Sequence, residues 1–387
     1  MLTRHQKRKN GQLNYDSKIK KIMKKRLIVL MLLFIPLLES CDIKETILTN
    51  TINRDGSITR KVTVRTNQRN KLDFQEIEVP IDSTWKTDLN WKMESIKEDT
   101  SKLDTVWYLT AEKHFQNVAA INQDYQNDNG RNKALKRKAN FSKSFRWFTT
   151  VYRYSEKVDK LFMVDCPLSE FFTTEEIEFT YLPSEIQESL LASPDSSKYQ
   201  PIAKKVEDKL GDYLVTVMIR EWIYRLYEKI KDHSDFDMSL EEMLSREKEA
   251  VRYTLDEGEK GDNPFYPEME LALHIFGEDF NHTFQEEIQS TYEAMEESQM
   301  KIDLVSDYQI ETRMPGRILR TNGYLIADQD SAESLGVRWA VGPFIVWGED
   351  YVMWVESREN NYFIWALTGL FLVFAGIGFY RKYKNKV

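Results

Sequence analysis

The best candidate for chemistry in this 387-residue chain is a set of two glutamates and two histidines spaced four residues apart. The set is Glu270, His274, Glu278 and His282. On one helix they would follow a single stripe, and histidine and carboxylate side chains one turn apart can chelate zinc. The stripe does not form an H-E-x-x-H motif, and the apolar residues on the adjoining face are typical of an amphipathic helix. A solvated helix face is therefore the prediction, and a metal site with these ligands is the alternative.

A second candidate is a modification site at Cys41. A basic Lys24-Lys25-Arg26 segment precedes the apolar run Leu27 to Leu38, which is typical of a secretory signal and too short for a membrane span. The next residues, Leu38-Glu39-Ser40-Cys41, resemble the lipobox of bacterial lipoproteins, with Glu39 where a small residue is usual. This resemblance implies that residues 1–40 are a signal peptide removed before Cys41, and that Cys41 is lipidated.

Catalytic signatures are otherwise missing from the sequence. Cys166 is the one other cysteine, and it ends an apolar stretch without a neighbouring histidine. These surroundings predict a buried small hydrophobic residue rather than a nucleophile. The chain contains no G-x-S-x-G, P-loop or G-x-G-x-x-G motif, so no enzyme class and no cofactor is predicted. An envelope hydrolase or a metal-dependent enzyme that uses an acidic helical region remains an alternative.

The charge of the chain is uneven along its length. The formal net charge is −8, but the signal and the C-terminal tail are basic, so the part between them carries −20. A domain this acidic is a poor nucleic-acid binder. Basic residues cluster within 131–146, and Lys136, Arg137 and Lys138 are predicted to contact lipid head groups or an anionic polymer. A solvated loop is the alternative interpretation of this cluster.

A membrane span is predicted near the C-terminus. Tyr362 to Phe379 contains no charged residue, and eighteen helical residues extend about 27 Å, enough for a bilayer core. The span is predicted over 362–380, and the tail 381–387 holds four basic residues and no acidic one. By the positive-inside rule this tail is cytoplasmic, so residues 42–361 are expected outside the cytoplasm, at the inner membrane.

The exported part is predicted to be an α+β domain. Strand-like segments occur in 41–183 and again in 303–361, and Asp55-Gly56 predicts a hairpin turn in the first of them. Between them, 184–302 follows a helical period and contains capping boxes. We therefore expect a β-rich domain built from both ends of the exported chain, a mostly helical insert, and one C-terminal transmembrane helix.

A family resemblance is carried by the two β-rich ends. The lipobox Cys41 is followed by an Asp-Gly-Ser hairpin, and the Pro315-Gly316 turn, the Thr321-Asn322-Gly323 stretch and Trp339 precede the span. These features resemble a group of membrane-anchored bacterial lipoproteins that includes an LppM-like group. The resemblance does not cover the helical middle. It implies a non-enzymatic envelope protein with a lipid-contacting β domain, and it supplies no functional residues.

The predicted function is that of a membrane-anchored envelope lipoprotein that binds a lipid or a protein partner. Its expected partners are membrane lipids and an envelope protein. An accessory subunit of a membrane complex is a further hypothesis. The lipid at Cys41 and the C-terminal span are expected to hold both ends of the β-rich region beside one bilayer, with the lipid setting the orientation of the domain.

Overall fold

The computed structural model describes residues 44–72, 81–96, 99–127, 136–258, 269–302, 308–327 and 335–384. The predicted signal peptide and Cys41 lie outside these residues, as does the part of the basic cluster that precedes Lys136. The fold is α+β, with two β-sheets, a group of helices and a C-terminal apolar helix. The predicted fold class is therefore confirmed.

Eleven strands occur in the described part of the chain. They are β1 (Lys44–Ile52), β2 (Ile58–Thr66), β3 (Lys86–Ile96), β4 (Asp99–Phe115), β5 (Arg137–Arg146), β6 (Thr149–Val158), β7 (Tyr308–Arg313), β8 (Arg317–Thr321), β9 (Tyr324–Ala327), β10 (Leu335–Val341) and β11 (Tyr351–Asn360). The first sheet has the order β3-β4-β2-β1-β7-β10-β9, and the second has the order β5-β6-β11-β8. β1 pairs with β7 in parallel, so strands from the two β-rich parts of the sequence meet inside one sheet, as predicted.

Ten α-helices occur among the same residues. They are α1 (Val118–Asn127), α2 (Thr174–Thr180), α3 (Ser184–Ala192), α4 (Ser196–Ile230), α5 (Leu240–Leu244), α6 (Glu247–Gly258), α7 (Met269–Phe276), α8 (Glu278–Thr283), α9 (Gln285–Ile302) and α10 (Tyr362–Lys384). α2 to α9 form the helical insert, and α10 is the apolar C-terminal helix.

The β1–β2 hairpin forms where the Asp-Gly signal predicts it. The Asp55 carboxylate accepts hydrogen bonds from the backbone N–H and the hydroxyl of Ser57, at 2.9 and 2.7 Å. Gly56 closes the turn by donating to the Asn53 carbonyl at 3.0 Å. Beyond the turn the side chains of β2 alternate between buried and less buried positions, so the buried set, which includes Val62 and Val64, faces the core between the sheets.

The chain crosses between the two sheets on either side of β8. Asn322 does not form the tight hairpin that its Asn-Gly sequence suggests, because β8 and β9 belong to different sheets. Instead the Asn322 side chain continues the pairing with β11, accepting from the Trp354 N–H at 2.9 Å and donating to the Val352 carbonyl at 2.6 Å. A Cβ atom at Gly323 would lie 2.5 Å from the Trp339 ring, so glycine is required for space.

The helical insert has its own apolar core and begins before the predicted boundary at Ser184. Residues from Phe162 onwards pack into this core, and α2 is helical although it lies within the predicted β-rich part 41–183. The long helix α4 places the fully buried Glu221 beneath the incoming loop. Its carboxylate accepts from the N–H groups of Met163 and Val164, at 2.8 and 3.2 Å, and these bonds fix the start of the insert.

The two sheets have a distinct helix-bearing end, where β11 passes into α10, and a far end. At the helix-bearing end Arg54, in the β1–β2 turn, pairs with Glu359 near the end of β11. At the far end the insert joins the sheets, where the Cys166 N–H donates to the Gly348 carbonyl at 2.8 Å and the Tyr181 and Tyr351 rings lie 4.9 Å apart. The insert is thus attached away from α10.

Candidate membrane-interface site

β11 passes into α10 through one residue, Asn361. Its side-chain oxygen accepts from the Thr150 hydroxyl at 2.9 Å, and its side-chain nitrogen donates to the Trp147 carbonyl at 2.9 Å. Its backbone N–H donates to the Phe148 carbonyl at 2.8 Å, and its carbonyl accepts from the Trp365 N–H at 3.1 Å. Asn361 therefore ties the start of the helix to the β5–β6 hairpin, and no linker separates the domain from the helix.

The β5–β6 hairpin reaches past Asn361 alongside the helix. Its last pair is Arg146 with Thr149, so Trp147 and Phe148 form a two-residue turn. The Phe148 ring lies 4.2 Å from the Trp365 ring, and the Trp147 indole N–H donates to the Thr368 hydroxyl at 3.3 Å. We call Phe145, Trp147 and Phe148 the aromatic tip.

The helix beside the tip is long and apolar enough to cross a membrane. The segment that could span a membrane is Tyr362–Tyr383, which has 22 residues and a mean hydropathy of 2.0. None of its described side chains is fully buried in the protein. A helix that is apolar all round and uncovered needs an apolar solvent, because exposing such a surface to water is unfavourable. The observed helix agrees with the predicted span at its N-terminal end.

Basic side chains surround the helix-bearing end. They are Arg54, Lys143, Arg146, Arg317 and Arg358, here called the basic collar, and all five are exposed. The register of β8 and β11 places Arg317 opposite Arg358, and Lys143 donates to the Arg54 carbonyl at 2.9 Å. Two acidic residues, Asp55 and Glu359, lie among them.

The predicted lipid-contacting residues lie at the other end of the same strand. Lys136 and Lys138 are exposed, but they flank the start of β5, about 30 Å from Arg146 at 3.3 Å per residue. Arg137 is buried, and its Nη1 lies 4.0 Å from the Glu156 carboxylate, so it does not belong to any surface. The prediction for Arg137 is wrong because the alternation of β5 turns this side chain into the core.

The stripe of candidate metal ligands is divided by a break in the helix. Gly277, with φ of +92°, separates α7 from α8, so the four-residue spacing no longer places His274, Glu278 and His282 on one face. The His274 ring stacks on Tyr253 at 4.2 Å instead. In the part of the chain that the structure describes, no three His, Cys, Asp or Glu residues are grouped to hold a metal ion.

Cys166 is buried, as its surroundings in the sequence predict. Burial raises the pKa of its thiol to about 12, although the Arg220 charge opposes this shift. At neutral pH the side chain is therefore a thiol and not a thiolate. A nucleophilic role for Cys166 has no support in this environment.

The helical insert contains a charged cleft of about 640 Å³. At its centre the Arg220 guanidinium pairs with the carboxylates of Glu247 and Glu170, at 2.7 and 3.1 Å. Hydrogen bonding to Glu247 raises the pKa of Arg220 against the opposing effect of burial. The described lining includes neither histidine nor cysteine, and its central charges are held in ion pairs. The cleft therefore suits polar binding better than acid–base or nucleophilic catalysis.

Comparison with known proteins identifies no relative: no protein-family model, no curated protein and no solved structure matches this chain. The site therefore rests on its own geometry. The aromatic tip was missed in the sequence because residues 145–154 look like one continuous strand. The signal that could have revealed the turn is the adjacent Trp147-Phe148 pair, which interrupts the alternation between Phe145 and Thr150.

Proposed function

We propose that this protein is a non-enzymatic, single-pass binding protein of a bacterial cell envelope. In this proposal α10 crosses the inner membrane, and the sheets with their helical insert lie outside the cytoplasm. The protein is made as a lipoprotein with its lipid on Cys41. Its partner is a membrane lipid or an envelope protein, which it binds at the outer face of that membrane.

The observation that carries this proposal is the junction at Asn361. A domain that only needs to be retained at a membrane can hang from a flexible linker. Here the last strand enters the helix directly, and three hydrogen bonds of Asn361 hold the neighbouring hairpin against it. Such a junction keeps the helix-bearing end of the domain on the bilayer, which favours a function that depends on how the domain is oriented relative to the membrane.

The direction of insertion is supported by charge. The tail after Phe379 carries Arg381, Lys382, Lys384 and Lys386 without an acidic residue, which favours a cytoplasmic C-terminus. The basic segment and apolar run before Cys41 favour export of the domain that begins at this cysteine. Both ends thus support the same topology.

The topology is tested by thiol labelling of intact cells and by extraction of their membranes. Single cysteines are introduced at Ser234, in the insert, and at Asn385, in the tail, in a Cys41→Ser, Cys166→Ala background. An impermeant maleimide should label position 234 in intact cells and position 385 only after lysis. The protein should stay in the pellet after alkaline washing. Labelling of position 385 in intact cells, or release by alkali, would overturn the proposal.

The lipid is tested separately with a labelled fatty acid. Wild type should incorporate the label, and the Cys41→Ser variant should not. Unlabelled wild type, with correct membrane insertion, would remove the lipoprotein part of the proposal and leave the single-pass anchor in place.

A second candidate function is that of an accessory subunit of a membrane complex. The charged cleft around Arg220 favours it, because the insert that contains this cleft is attached at the end of the sheets away from α10. A photo-crosslinking amino acid at Arg252, whose side chain is 85% exposed at the cleft, should capture a defined envelope protein in cells. The same probe at Lys138 is the control. Equal products from both positions would contradict a cleft-specific partner.

A further inference from the structure

We propose that the aromatic tip and the basic collar form a binding site for anionic phospholipids, with Trp147 and Phe145 inserted into the bilayer that α10 crosses. This inference rests on the proposed membrane span, and it adds a ligand class and the residues that recognise it. Three independent observations support it: the position of the aromatic tip along α10, the charge of the residues around the tip, and the backbone conformation of Trp147.

The position of the aromatic tip along α10 follows from its contacts with this helix. Thr368 lies six residues into α10, about 9 Å along the helix axis at 1.5 Å per residue. Because the Trp147 indole contacts Thr368, the tip lies beside the first two turns of the span candidate. If the apolar part of the helix fills the bilayer core, the tip cannot remain in bulk water. Trp147 and Phe145, which are 57% and 59% exposed, then face lipid.

The charge follows from the residues that surround the tip. Arg54 pairs with Glu359, so these two charges offset one another. Lys143, Arg146, Arg317 and Arg358 remain, opposed by Asp55. A domain whose exported part carries −20 is repelled by an anionic surface on average, yet it presents this basic end to the membrane. Arginine binds phosphate groups through two parallel hydrogen bonds, and phospholipid head groups offer such phosphates.

The backbone of the tip supports the same inference. Trp147 is the one non-glycine residue with positive φ, +45°, among the described residues. Two-residue hairpin turns favour glycine or asparagine at such positions, and a bulky side chain there is strained. Glycine would relieve this strain, so an exposed tryptophan at the turn indicates a use for its side chain. The amphipathic indole suits the membrane interface.

The experiment uses the full chain in nanodiscs of phosphatidylcholine mixed with phosphatidylglycerol. In paired samples either the phosphatidylglycerol or the phosphatidylcholine carries brominated acyl chains, which quench tryptophan on contact. The difference between wild type and Trp147→Phe isolates the signal of Trp147 from the other tryptophans. Wild type should be quenched more than Trp147→Phe, and more by brominated phosphatidylglycerol than by brominated phosphatidylcholine.

Charge variants then identify the collar. Replacing Arg146, Arg317 and Arg358 with glutamine should lower the preference for phosphatidylglycerol, by up to roughly fivefold for each arginine removed. The Arg252→Gln variant, at an exposed arginine of the insert, should leave the preference unchanged. Raising the salt concentration should reduce the wild-type preference as well, which tests the charge effect without any variant.

A Trp147→Gly variant separates folding from lipid contact. Glycine at this turn should raise the melting temperature in detergent while abolishing the quenching assigned to Trp147. Equal quenching of wild type and Trp147→Phe would overturn insertion of the tip. Equal quenching by the two lipids, unaffected by salt and by the collar variant, would overturn the head-group site. Loss of the protein from the nanodiscs under alkaline washing would instead contradict the membrane span itself.

Discussion

Arg60 on β2 and Glu156 on β6 form an ion pair 2.9 Å apart between the two sheets, with each side chain 1% exposed. Tyr125 and Tyr154 donate to the same carboxylate at 2.6 and 2.8 Å, and Asn50 accepts from Arg60 at 2.8 Å. Each charge is therefore solvated by protein groups in place of water. Because β6 pairs with β11, this ion pair holds the sheet that ends in α10 against the first sheet.

Replacing Glu156 with glutamine should destabilise the protein by about 3 kcal/mol at neutral pH, because Arg60 stays buried without its carboxylate. The measurement is the unfolding midpoint in denaturant, in detergent micelles. The control is Glu228→Gln, which breaks an exposed pair with Lys231 and should cost less than about 1 kcal/mol. Equal losses from both variants would show that the buried pair does not secure the sheets.

The same variant should change the dependence of stability on pH. Burial alone would raise the pKa of Glu156, but Arg60 and Arg137, together with the two tyrosine hydroxyls, outweigh burial and lower it. A lowered carboxyl pKa gives stability that is fully present above the unfolded value, about 4.3, and is lost as pH falls through the folded value. Wild type should therefore lose stability in acid more steeply than Glu156→Gln. Parallel curves would contradict this sign.

Removing the side chain of Asn361 should loosen the aromatic tip without unfolding the domain. Asn361→Ala deletes the bonds to Thr150 and Trp147, worth about 1.4 kcal/mol together. Amide exchange of residues 147–150 should then accelerate about tenfold, as followed by mass spectrometry in nanodiscs. Asn140→Ala, at an exposed position in the middle of β5, is the matched control. Unchanged exchange in Asn361→Ala would mean that the tip is held by its ring contacts alone.

The thiol of Cys166 should be inert in the folded protein. With its pKa raised to about 12, roughly one molecule in ten thousand carries a thiolate at pH 8. In a Cys41→Ser background a maleimide should label Cys166 only after unfolding in denaturant. The Cys166→Ala variant should keep the stability and the crosslinking pattern of its parent. Rapid labelling of the folded protein would reopen a nucleophilic role.

Replacing Cys41 with serine should leave the helix-bearing end in place on the membrane. Lys44 lies at the far end of β1, whose nine residues extend about 30 Å from the β1–β2 turn beside Glu359. The three residues from Cys41 to Lys44 span about 10 Å at most, so a lipid on Cys41 enters the same bilayer only if the domain is inclined, whereas α10 holds the helix-bearing end in either case. Protease cleavage near the collar should be equal in both proteins. A large increase in the variant would show that the lipid also positions the helix-bearing end, contrary to this prediction.

The fold and the site differ in how far the sequence predicts them. The Asp55-Gly56 turn is a local signal, so it is predicted and found. The Asn322-Gly323 pair looks equally local, but its outcome depends on Trp339 and Trp354, which belong to different sheets. The helix break at Gly277, where φ is +92°, divides α7 from α8, so the continuous stripe that the four-residue spacing suggests does not form.

The sequence by itself determined the properties that depend on composition and short range: the α+β class, the apolar C-terminal helix, the first hairpin and the burial of Cys166. Tertiary structure alone decided which end of the domain meets that helix. Strand alternation turned Arg137 inward and left Lys136 and Lys138 at the far end, while Lys143 and Arg146 of the same strand lie beside Asn361. The physical reason is that the two ends of β5 lie about 30 Å apart. Only the pairing of β5 with β6, and of β6 with β11, determines which end lies next to α10.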